Sequence, residues 1–193
     1  MKLLMNSVMV MLVSWSMTSV ACAGNATGGA VFYPKGHRLY GKSTAATKGI
    51  PIKVYNDLDL GDGGNAIEAA ISSFPCPLFT IVEDPFEADI IVRDGLLGGT
   101  SAGRMVMDEG PNHYLLVDFT VAPIFNSTAM YLLLAHELGH ALGLAHDRRG
   151  IDGHWISIMA PDAMKHADRL EEGKLLPWLY PGDKKAIKSK WCR

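Results

Sequence analysis

Residues 136–147 read HELGHALGLAHD. Three histidines and a glutamate interrupt an otherwise apolar stretch, in a region that reads as core. Leu134, Leu138 and Ala141 recur at i, i+4 and i+7, which predicts a helix with one buried face. Pro123 precedes it, and Asn126 or Ser127 can cap it. His136 and His140 are one turn apart and about 40° from each other round the axis. Both imidazoles can therefore reach one ion. Glu137 is offset by one position, close enough to touch a water on that ion without binding it.

His146 cannot join the pair on a continued helix. It would lie about 9 Å further along the axis than His140 and about 240° round. Gly143 supplies the remedy, because glycine can take the left-handed conformation that stops a helix and turns the chain back. The third imidazole then completes a tripod. Three neutral imidazoles leave an open position on zinc, as catalytic sites require. Bound water drops in pKa toward about 7. Glu137 can take its proton and deliver it to a leaving amine, which describes peptide-bond hydrolysis.

The spacing HExxHxxGxxH matches the signature of metzincin zinc metallopeptidases, which also carry a methionine turn downstream. Ser157-Ile158-Met159-Ala160-Pro161 resembles that turn. The chain looks most like the matrixin group. Its ADIIV segment resembles that group's third strand, and PGDKKAIKSKW its closing helix. The resemblance implies a zinc endopeptidase with one catalytic Zn2+ held by His136, His140 and His146. Glu137 would be the general base and Met159 the floor of the site. The strand near Arg104–Glu109 would be a sheet edge against which a protein or peptide substrate adds as an extended strand. Departures from the group are Asp147, where matrixins usually carry Ser or Thr, and Ala163, where a Tyr often forms the specificity wall. No cysteine-switch segment is visible. These departures leave an alternative: a zinc-binding interaction module with a degenerate cleft.

Outward from the helix, five segments read as strands: IPIKVYND, LFTIVED, ADIIVRD, RMVMDE and NHYLLVDFT. NAIEAAISSF reads as a short helix of about ten residues with Asn65 as cap. The expected fold is α+β, metzincin-like, with a twisted mixed sheet of about five strands, the active-site helix, the methionine turn and a C-terminal helix. The run DLDLGDGGN (57–65) falls short of a calcium loop, because Asp62 stands where the glycine belongs. A capped loop is the better reading, and calcium is unsupported. His113 and Asp118 lie five apart on one strand and so face opposite sides. His154 lies in the loop leading to Met159, and a surface role suits it best. His37 and His166 have no partner in the sequence.

The 193 residues carry 18 Lys and Arg against 20 Asp and Glu, which gives no reason to expect a nucleic-acid partner. A hydrophobic content of 48% suffices for one core. The N-terminus opens with Lys2, an apolar run to about Met17 and small residues, as a secretory signal does. Ala21-Cys22-Ala23 suits ordinary signal peptidase. Ser19-Val20-Ala21-Cys22 equally resembles a lipobox in which Cys22 would carry a lipid, the one expected route to a membrane. The segments are then a signal at 1–23 (or a lipoprotein signal at 1–21), an arm rich in Gly, Ala, Thr and Ser at 24–50, and a catalytic domain at 51–193. The protein is expected to be exported and monomeric. With Cys22 assigned to the leader, Cys76 and Cys192 remain, and an oxidising compartment favours a disulfide between them.

Overall fold

A computed structural model describes residues 51–58, 65–106, 113–121, 127–146, 157–160 and 181–192. The leader with Cys22, the arm at 24–50, most of the 57–65 loop, Asp147, His154, Ala163, His37 and His166 fall outside them.

The chain folds as a mixed α+β structure. In order it forms β1 (Ile52–Asn56), α1 (Asn65–Ser72), β2 (Phe79–Ile81), a single tight turn of helix (Pro85–Glu87), β3 (Ile90–Asp94), β4 (Gly103–Val106), β5 (His113–Val117), α2 (Ser127–Ala141) and α3 (Pro181–Trp191). The five strands make one sheet in the order β2-β1-β3-β5-β4. The first four in that order run parallel, and β4 pairs antiparallel with β5 at the edge.

Strand periodicity sets the faces. Along β1, Ile52 and Val54 are buried while Lys53 and Tyr55 are not, and β3 and β5 alternate likewise. Register aligns Val92, Leu115 and Met105 into one buried row across β3, β5 and β4. On the other face Arg93 stacks over the Tyr114 ring at 4.3 Å.

α1 ends earlier than its sequence suggests. Ser73, just past the helix, turns its hydroxyl back onto the Ala70 carbonyl at 2.7 Å, a bond that competes with helix continuation. The prediction of one buried face for α2 needs correction. Every residue from Ala129 to Ala141 is buried, because α1, β4 and β5 all pack against this helix. A helix enclosed in this way reads as apolar on all sides, so no single stripe stands out.

α3 spans PGDKKAIKSKW, with Pro at the first helical position, where its missing N–H costs nothing. It buries Ile187 and Trp191. Cys192 follows and is disulfide-bonded to Cys76, with Cα atoms 6.0 Å apart and a sequence separation of 116. The bridge ties the end of α3 to the connection between α1 and β2, as expected, and it is compatible with an extracellular protein. Among the described residues no helix is long and apolar enough to cross a membrane.

Candidate metal centre

The site is built at the C-terminal end of α2. His136 and His140 project from its last two turns, and both are buried. The helix then stops in a defined way. Gly143 has φ +84°, the left-handed region. Its N–H bonds to the His140 carbonyl at 2.9 Å, and the Leu144 N–H bonds to the Gly139 carbonyl at 3.0 Å. This pair of bonds is the Schellman cap, with Gly143 at the position that favours glycine. The reversal brings His146 alongside the helix it has just left.

The three rings converge. His146 Nε2 lies 3.2 Å from His140 Nε2 and 3.2 Å from His136 Nε2. One ligand atom from each of the three falls within 4.8 Å of the others, and His146 is the exposed member. The opposite nitrogens fix the tautomers. His136 Nδ1 lies 2.5 Å from the Ile158 carbonyl oxygen, and His140 Nδ1 lies 2.8 Å from that of Leu144. Each carbonyl can only accept, so each Nδ1 carries the proton and each Nε2 presents a lone pair. Burial, opposed by the Ile158 carbonyl and aided by the His146 charge, pushes the His136 pKa down to about 4. His136 is thus neutral near neutral pH. A proton on His146 Nε2 serves one neighbouring lone pair at a time, whereas a cation serves all three. The donor set suits a metal ion.

Glu137 is buried beside the rings, and its Oε2 accepts the Met105 N–H at 2.7 Å. Burial raises its pKa to about 7, opposed by that N–H and by the Arg104 charge. The Met105 bond shows which edge of β4 faces the site. The Asp118 N–H bonds to the Ala102 carbonyl at 2.8 Å, so by antiparallel register Arg104 and Val106 face β5, and Gly103 and Met105 face outward. Glu137 therefore holds an outward-facing N–H of the sheet edge.

Met159 is buried beneath the helix in the turn Ser157–Ala160. The Ser157 hydroxyl accepts the Met159 N–H at 3.1 Å and its carbonyl accepts the Ala160 N–H at 3.0 Å. The same turn supplies the carbonyl that orients His136.

The six site residues named from sequence on this stretch—His136, Glu137, His140, Gly143, His146 and Met159—thus lie together. Cys76 and Cys192 are joined elsewhere, and Cys22 is not among the described residues. Three contributors escaped the sequence reading. Gly139 leaves space for methionine, since a Cβ there would lie 2.5 Å from Met159 Sδ. Gly103 lets β4 approach α2, since its Cβ would lie 2.6 Å from Leu133 Cδ1. Asp118 anchors the loop leading into β4. Its carboxylate accepts the N–H groups of Leu97 (2.8 Å) and Thr120 (3.0 Å) and the Thr120 hydroxyl (2.5 Å). The hydroxyl and the Leu97 N–H hold its pKa below the ordinary carboxylate value. Missing side chains leave no pattern to read, and a strand-end aspartate looks like any surface acid.

No protein-family model matches the chain, and no curated protein matches it. Among solved structures it is similar to a chain of the GM1-bound form of the ECX AB5 holotoxin. The two share 12% identity over 75% of this chain and 77% of the other, with a TM-score of 0.43. Likeness at that level carries neither fold nor activity across.

Proposed function

We propose that the protein is a zinc-dependent endopeptidase of the metzincin type, acting outside the cytoplasm on protein or peptide substrates. The observation that carries this reading is the convergence of three imidazoles, two with Nε2 lone pairs fixed by carbonyls, beside a buried carboxylate. The 3.2 Å separations between His146 Nε2 and its two neighbours fit a tetrahedral ion of zinc's size. A tetrahedral ion with bonds of about 2.0–2.1 Å has edges of roughly 3.3 Å.

When bound, zinc supplies Lewis acidity, which lowers the pKa of water and polarises a carbonyl. The chain's own residues do the rest. Met105 fixes Glu137 by one oxygen and leaves Oε1 to accept a proton and pass it to the departing amine. Exposure of His146 leaves the site open to substrate. The outward Gly103 amide and the Gly103 and Met105 carbonyls are suited to pair with an extended chain.

The test is a zinc determination and a peptide-library assay on the purified protein and on Glu137→Ala. The variant is expected to keep zinc and lose turnover by several orders of magnitude. Equal cleavage by the variant would defeat the mechanism. Zinc binding without turnover by the parent would favour the interaction module instead.

A further inference from the structure

We propose that Gly103 is a positioning residue for Glu137, because it sets how closely the edge strand lies on the helix that carries the carboxylate. This rests on the hydrolytic reading above. The argument is steric. Gly103 is the outward-facing residue of β4 two positions before Met105, whose N–H grips Glu137 Oε2 at 2.7 Å. A Cβ on Gly103 would meet Leu133 Cδ1 at 2.6 Å, Leu133 Cγ at 3.1 Å and Glu137 Cγ at 3.3 Å. Leu133 is 1% exposed, so its branched end can turn aside only into other core side chains. An ordinary carbon contact needs about 3.5 Å. Relief is therefore shared between that side chain and β4, which lifts by up to about 0.9 Å. Transmitted to Met105, that lift stretches its bond to Glu137 toward about 3.6 Å, where no hydrogen bond survives. The zinc ligands are all on α2 and its cap, so they stay in place. The effect falls on the orientation of the proton-transfer group and on the β4 edge beside it.

The experiment compares the full protein with Gly103→Ala, Leu133→Ala and the double variant Gly103→Ala/Leu133→Ala. The readouts are bound zinc, kcat and KM on a peptide substrate, and amide hydrogen exchange at Met105. Gly103→Ala is expected to keep the parental zinc, to lose kcat by roughly tenfold or more, and to exchange the Met105 amide at least about tenfold faster. The β5-facing Arg104 amide should be unaffected. The double variant, with the obstructing side chain removed, should recover slow exchange and most of the kcat lost. Should Gly103→Ala fail to fold, recovery of folding and slow Met105 exchange in the double variant supports the steric assignment. Failure of the double variant where Leu133→Ala alone folds overturns it. Unchanged kcat and unchanged Met105 exchange in a folded Gly103→Ala also overturn it. Hydrogen exchange needs no activity, so a parent with no turnover on any substrate would sink the hydrolytic reading and still leave the Gly103 geometry measurable.

Discussion

The Leu144 carbonyl oxygen lies 2.8 Å from His140 Nδ1, so the residue that completes the helix cap also orients a ligand. The helix cap and the candidate metal centre are therefore one structural unit. Gly143→Ala forces a side chain into the left-handed region at a cost of roughly 1–2 kcal/mol. It also moves the carbonyl and the following His146. Expected together are a stability loss of that size and at least a tenfold weaker metal affinity. Denaturant melts and competitive metal titration check both. A stability loss with unaltered affinity would separate the cap from the ligands.

Chelation should destabilise the protein without unfolding its sheet. The three nitrogens crowd one point, and an ion that binds only the folded chain adds about 2.7 kcal/mol when present at a hundredfold excess over its Kd. Thermal melts with zinc and with chelator should therefore differ. His146→Ala should melt like the chelated parent in both conditions, since the exposed ring does little for packing. A zinc-dependent shift that survives in His146→Ala would remove that histidine from the ligand set.

The metal-free protein should show a pH signature from Glu137. Its folded pKa of about 7 lies above the unfolded value of 4.5. The folded state then binds the extra proton, so the stabilisation is complete below pH 4.5 and is lost as pH rises through 7. The gap corresponds to about 3 kcal/mol. Glu137→Gln has no charge to bury. Relative to the parent it should gain stability between pH 4.5 and 8, approaching that amount. Urea melts of both proteins at the two pH values test it, and a difference that does not change with pH would contradict the burial argument.

Reduction of the disulfide should loosen α3. Closing a loop of more than 100 residues restricts the unfolded chain by about 5 kcal/mol in the chain-entropy account. Cys192→Ser is expected to lose a large part of that in denaturant melts. A loss under 1 kcal/mol would mean that Ile187 and Trp191 alone hold the helix.

Much of this was legible in the sequence, and the reasons differ by element. Runs rich in β-branched residues gave the strands. Fixed spacing gave the tripod, because helix geometry makes His136 and His140 neighbours and a glycine is the cheapest way to return His146. The disulfide followed from counting. What failed did so where the fold overrode local pattern. The spacing predicts one buried face for α2, but three elements enclose it. Gly103 and Gly139 act through the space they leave, which composition does not record. Asp118 acts through N–H groups contributed by Leu97, 21 residues back in the chain.

The bridge between Cys76 and Cys192 encloses β2 through α3, and with them every site residue described. A single cut inside that span would leave both fragments covalently attached. Damage of this kind would go unseen in size until a thiol was added. The staple thus keeps a nicked molecule in one piece.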